Sequence, residues 1–182
     1  MATTKTLLTA EQLAGMPDDG RRLELVKGEL VEMPPTGGDH GEASFNIAML
    51  LGIFIKEHHA GKGYGAETGF VISHDPDTVR APDVAFISRE RLQAGPQQGF
   101  VTTIPDLVGE VVSPSDTAPT VQAKVEDWLS VGVRIVWVVY PNTRSVVVYQ
   151  PDMTARVLTY GDTLAGDPVL PGFACKVSEL FS

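Results

Sequence analysis

Residues 107–140 read LVGEVVSPSDTAPTVQAKVEDWLSVGVRIVWVVY, and the fold turns on this stretch. Leu107-Val-Gly-Glu-Val-Val112 reads as a strand. From about Thr120 to Val131 the apolar residues Val121, Val125, Trp128 and Leu129 recur at helical spacing, and Gly132 closes the run. Ile135-Val-Trp-Val-Val-Tyr140 is apolar on both faces, the pattern of a strand covered on both sides. Strand, helix and strand at this spacing predict a crossover unit with two parallel strands.

Working outward, Arg22–Val26 and Glu29–Met33 alternate polar and apolar residues around Lys27-Gly28, which predicts a β-hairpin. Before it, Thr9-Ala-Glu-Gln12 matches a capping box and opens a short helix to about Met16. Residues 39–59 carry Phe45, Ala48, Leu51 and Ile55 at helical spacing, the longest helix expected. Gly61-Lys-Gly-Tyr-Gly65 reads as a loop, since it neither follows a strand nor opens a helix as a nucleotide fingerprint would. Extended runs are expected at Tyr64–Ser73, Pro82–Ser88 and Ser145–Gln150. Turns are expected at Asp75-Pro-Asp77 and Pro141-Asn-Thr-Arg144, and a loop at Gln93–Gly99. The expected fold is one α/β domain over residues 1–182, an N-terminal hairpin followed by a mixed sheet flanked by helices.

With 43% hydrophobic and 20% charged residues, the composition is that of an ordinary globular chain. No apolar run reaches the roughly 20 residues that span a bilayer, and Met1–Lys5 is polar, so a cytoplasmic location is expected. The single Cys175 excludes an intrachain disulfide and a Cys-based zinc site, and reads as a small buried hydrophobe. A net charge of -9 argues against indiscriminate coating of nucleic acid, which needs a basic footprint. It leaves room for an acid-rich site with a local cation. Serine hydrolysis finds no Gly-x-Ser-x-Gly elbow. A two-carboxylate glycosidase is permitted by the acids, but aromatics to stack sugars amount to only 7%.

The informative residues are acids inside apolar strands. Glu110 lies within Leu107–Val112, and Asp83 opens Asp83-Val-Ala-Phe-Ile87. Desolvating a carboxylate is expensive, so an acid in a core strand needs a cation, and a divalent metal is one candidate. Glu24, in the hairpin, reads on its own equally well as a solvated strand residue. His40, alone, reads as a residue at a helix start, and His58, His59 and His74 as surface residues.

Arg80-Ala-Pro-Asp-Val-Ala-Phe-Ile87, Asp106-Leu-Val-Gly-Glu-Val-Val-Ser-Pro-Ser-Asp116 and Gly132–Pro141, in this order, resemble the Uma2 family (DUF820) of the PD-(D/E)XK nuclease superfamily. Glu24–Met33 resembles its opening hairpin, and Leu170-Pro-Gly-Phe173 with Leu180-Phe181 its ending. The (D/E)XK triplet would put lysine at position 112, where this chain has Val112. The family implies a migrated lysine from the next helix, and Lys124 fits, although a lysine snorkelling at the stripe's edge has the same spacing. The resemblance implies a Mg²⁺- or Mn²⁺-dependent endonuclease acting on DNA, and a homodimer. Asp83, Glu110 and the carbonyl of Val111 would hold the metal, and Lys124 would serve the attacking water or the phosphate. Glu24, with His40 beside it, would bind a second ion or hold water, and His40 could also meet substrate. The rival reading is a binding or assembly protein that kept the nuclease scaffold without its chemistry.

Overall fold

The computed structural model describes residues 7–93 and 99–181; most of the expected loop at Gln93–Gly99, and the Met1–Lys5 segment, lie outside them. The element order begins with α1 (Ala10–Ala14), β1 (Arg22–Val26), β2 (Glu29–Met33) and α2 (Gly38–Glu57). It continues with β3 (Gly61–Gly65), β4 (Phe70–Ser73), β5 (Thr78–Arg80), β6 (Val84–Ser88), β7 (Leu107–Val111) and α3 (Ala118–Ser130). The chain closes with β8 (Ile135–Tyr140), β9 (Ser145–Tyr149), β10 (Ala155–Leu158), β11 (Thr163–Ala165) and β12 (Ala174–Lys176). A six-stranded sheet runs β10-β9-β8-β7-β6-β3, and a four-stranded sheet runs β2-β1-β5-β4.

The decisive stretch folds as its pattern dictates. β7 and β8 pair in parallel, Leu107 with Ile135 through Val111 with Val139, and α3 makes the crossover. Thr117 caps α3 through its hydroxyl, with Pro119 in the first turn, where a missing N–H does no harm. Alternation along β7 divides the core in two. Leu107 and Val111 point to α2, with Ile47, Leu51 and Ile55, while Val108 points to α3, with Val121, Val125 and Trp128. Glu110, two residues from Val108, therefore faces α3.

Gly109 is required on the α2 side of β7: a Cβ there would stand 2.6 Å from Val84 Cγ1 and 3.6 Å from Ile47 Cδ1. Gly109→Ala is expected to lower stability by about 1–3 kcal/mol through overpacking, read as a shift in the urea midpoint. An unchanged midpoint would mean that Val84 of β6 does not crowd this position as described.

The capping box of α1, the first hairpin and both long helices form as expected, the helices within two residues of the predicted bounds. Two readings are corrected. Gly61-Lys-Gly-Tyr-Gly65 is not a loop but β3, the edge strand antiparallel to β6. Two of its three glycines serve close packing: a Cβ at Gly61 would lie 2.1 Å from Ile87 O, and one at Gly63 would lie 3.2 Å from Ile55 Cδ1. Likewise Tyr64–Ser73 is not one strand. Gly65 ends β3, and Phe70 starts β4 in the other sheet. The short β5, and β10 to β12 near the C-terminus, carry too little pattern to be foreseen. Cys175 is buried beneath α2's face of the sheet, and burial pushes its thiol up to about 12, so it stays an inert hydrophobe.

Candidate active site

Asp83 sits just before β6. Because Val84 pairs with Gly109 in the antiparallel β6–β7 ladder, Asp83 comes beside Glu110. The backbone N–H of Val111 donates to Asp83 Oδ2 at 2.8 Å. The other oxygen, Oδ1, has only long contacts, 3.4 Å to Ser44 Oγ and 3.5 Å to His40 Nε2, both from the first turns of α2. Ser44 Oγ in turn lies 3.3 Å from His40 Nδ1. The structure places His40 buried, with its ring turned to Asp83, whereas His58, His59 and His74 are exposed.

Glu110 meets α3. Lys124 Nζ donates to Oε2 at 3.1 Å and Trp128 Nε1 to Oε1 at 2.8 Å. The spacing of four between Lys124 and Trp128 stacks them on one helix face over the strand. Lys124 is not snorkelling: its side chain is 12% exposed. Burial holds the Glu110 carboxyl above its ordinary value. Lys124 opposes this, and the neighbouring Asp83 and Glu24 charges add to it. For Lys124, burial alone would favour the neutral amine. The Glu110 charge, with Glu24 and Asp116 behind it, overcomes this and holds the ammonium above its usual range.

Glu24 is buried, not solvated, so the surface reading falls. Arg80 Nη1 donates to its Oε2 at 2.8 Å and the Ala81 N–H to its Oε1 at 3.0 Å. The same guanidinium turns its Nε and Nη2 to Asp127 Oδ2 on α3. Burial opposes the Arg80 charge, but Glu24 and Asp127 outweigh it and hold the guanidinium above its usual value. Glu24 thus fastens the segment Arg80-Ala81 that leads into Asp83. Arg80, Asp127, Ser44 and the indole N–H of Trp128 escaped sequence reasoning. The three-residue strand Thr78-Val-Arg80 offered no signal for Arg80.

Glu24, His40, Asp83, Glu110, Val111 and Lys124 all line one cleft of about 380 Å³. Its acids outnumber its cations: Glu24, Asp83, Glu110 and Asp116 share it with Lys124, and at the rim Arg21 and Arg22 are paired with Asp19 and Glu67, beside Asp18. Among the described residues no three acids or histidines converge tightly enough to cage an ion by themselves. The donors are nonetheless hard oxygens, and Asp83 Oδ1 lacks a short partner. That fits an ion of the Mg²⁺ type, held by one or two carboxylates and otherwise by water.

A family model described as "Putative restriction endonuclease", Uma2, matches residues 10–178. This chain belongs to the Uma2 family. The solved structure of "a putative nuclease belonging to DUF820" from Anabaena variabilis superposes with a TM-score of 0.83. It is 17% identical, over 96% of this chain and 97% of that one, and shows that the two share a fold. No curated protein matches. The layout seen here is a mixed sheet with a helix on each face and acids at the ends of two adjacent strands. No described helix is long and apolar enough to cross a membrane.

Proposed function

We propose that this Uma2 protein is a Mg²⁺- or Mn²⁺-dependent endonuclease that hydrolyses DNA phosphodiester bonds in the cytoplasm. The observation that carries the reading is Asp83 beside Glu110, with Lys124 3.1 Å from Glu110, all open to one cleft. Asp83, Glu110 and the Val111 carbonyl would hold the ion, which when bound supplies Lewis acidity to the phosphate and a more acidic water. The Val111 N–H fixes the Asp83 carboxylate, and Trp128 fixes Glu110, so neither acid has to be reoriented on binding. Lys124 brings a permanent positive charge to the cleft, where it would stabilise charge gathering on the phosphate oxygens. His40 and Ser44 would hold Asp83 Oδ1, and His40 would reach substrate or a second ion. Glu24 would act through position, by fixing the backbone at Ala81.

Supercoiled plasmid with Mn²⁺ is expected to be nicked by the wild type and left intact by Asp83→Asn. Equal cleavage by both, or by neither, rejects the assignment. The second of these outcomes would favour a scaffold retained for binding.

Metal binding should also depend on pH with a definite sign. Glu110 has a raised value in the folded chain, so its contribution to stability is full below its unfolded value and lost as pH rises through the folded one. A cation competes with that proton. The rise in Tm on adding Mn²⁺ is therefore expected to be larger at pH 8 than at pH 5. A rise independent of pH would exclude Glu110 as a ligand.

A further inference from the structure

α2 presents to solvent a stripe that neither the sheet nor the cleft uses. Phe45 is 66% exposed, Met49 43% and Ile53 50%, the three most exposed apolar residues of the helix. Glu42 precedes them and Lys56 follows, both exposed. The five positions are spaced three, four, four and three residues apart, an average of about 3.5, which is the period of a helix seam that stays against a partner helix. That series is also palindromic about Met49. Glu42 and Lys56 lie seven residues either side of it and carry opposite charges, and Phe45 and Ile53 lie four residues either side.

A surface with this pattern complements itself. Laid antiparallel across a two-fold axis at Met49, a second α2 would put its Lys56 on Glu42, its Ile53 on Phe45 and its Met49 on Met49, with every contact occurring twice. We propose that this stripe is the interface of a homodimer, and that the occupant is a second copy of this chain. Complementary charge at the two ends selects a second copy in antiparallel register over a lipid surface, which would leave Glu42 against the headgroups. Beside the stripe, Ala48, Gly52 and Lys56 border a groove completed by the glycine-rich β3. Neither Gly52 nor Gly41 has any heavy atom within 4 Å of where a Cβ would stand, so two helix backbones can approach there. Phe45 of the second copy would arrive over Ile53, next to Gly52 at the rim of this groove. The burial of Phe45, Met49 and Ile53 supplies the attraction, and the two Glu42–Lys56 pairs set the register.

His40 lies on the same helix as the stripe, so the dimer would hold two clefts in fixed relation. The two His40 positions, eighteen residues apart along the paired helices, are separated by about 27 Å along the axis. The proposal concerns association alone and stands whether or not the cleft cleaves DNA.

Sedimentation equilibrium of the full chain without metal tests it. The wild type is expected to have twice the 19.5 kDa chain mass. Glu42→Lys or Lys56→Glu alone makes two like-charge contacts and is expected to weaken the dimer about tenfold or more. The Glu42→Lys/Lys56→Glu double variant restores opposite charges and is expected to recover wild-type association. Oxidation of Met49→Cys should yield a covalent dimer, since that position meets its own copy, and Ile53→Cys should yield none. A monomeric wild type, a double variant no better than the singles, or equal cross-linking at positions 49 and 53 would overturn the proposal.

Discussion

Arg80→Met is expected to lower the stability of the folded chain by about 3–5 kcal/mol, the usual consequence of removing one member of a buried ion pair. The guanidinium is almost completely enclosed, 7% exposed, and joins two carboxylates from different parts of the chain, Glu24 on β1 and Asp127 on α3. Methionine fills much of the volume but leaves Glu24, 2% exposed, with only the Ala81 N–H. The loss comes from an uncompensated buried charge, so it should shrink when the charge is removed as well. In a Glu24→Gln/Asp127→Asn background, Arg80→Met is expected to lower stability by no more than about 1–2 kcal/mol. Urea denaturation of the four proteins measures this cycle. Equal losses in both backgrounds would show that packing, not charge, makes Arg80 matter. Arg80 also lies three residues before Asp83, so Arg80→Met should weaken Mn²⁺ binding although Arg80 touches none of Asp83, Glu110 and Val111.

The second large effect is expected at Lys124. Lys124→Met keeps the aliphatic stem against α3's apolar stripe and removes only the charge. In the proposed nuclease, cleavage should fall by about 10²–10³, the usual effect of deleting one preorganised electrostatic group. The fold should also respond, in a way that depends on pH. Without Lys124, Glu110 keeps the Trp128 N–H but faces Asp83 and Glu24 with no cation beside it. At pH 8 the carboxylate must stay ionised or take up a proton against the bulk, and a loss of about 3–5 kcal/mol is expected. As pH falls through the raised range of Glu110 the carboxyl becomes neutral, the penalty disappears, and the variant should approach wild-type stability. Thermal melts from pH 8 downward would reveal the convergence. A deficit that does not narrow at any pH down to the acid limit of the fold would mean that Glu110 is not the group Lys124 compensates. The fall in cleavage and the pH-dependent loss are separable, because the melts need neither metal nor DNA.

These two residues also mark how far the chain could be read without coordinates. The crossover from β7 through α3 to β8 was legible because period two and period 3.6 alternate cleanly there. An acid in an apolar strand announces itself, because its burial is expensive in any fold, so Asp83 and Glu110 stood out, and Lys124 bordered a visible stripe. Arg80 did not stand out. A charge on a short strand is ordinary until the chain brings Glu24, 56 residues away, and Asp127, 47 away, around it. Trp128 read as plain core, since the stripe that makes its ring apolar says nothing of where its N–H points. The glycines of β3 misled, because glycine in a loop and glycine crowded by a neighbouring strand or helix look alike in a sequence.

The sequence by itself determined the long helices, the first hairpin, the parallel crossover and the identity of the acids that could not be left without a cation, because these depend on local periodicity and on the desolvation of single groups. The tertiary structure decided which charges meet. It set Asp83 against the Val111 N–H, Glu110 between Lys124 and Trp128, and Glu24 on Arg80 rather than in water. Those choices depend on distances across the sheet between residues far apart in the chain, and electrostatic energy in a low-dielectric interior is governed by such distances and not by spacing along the sequence.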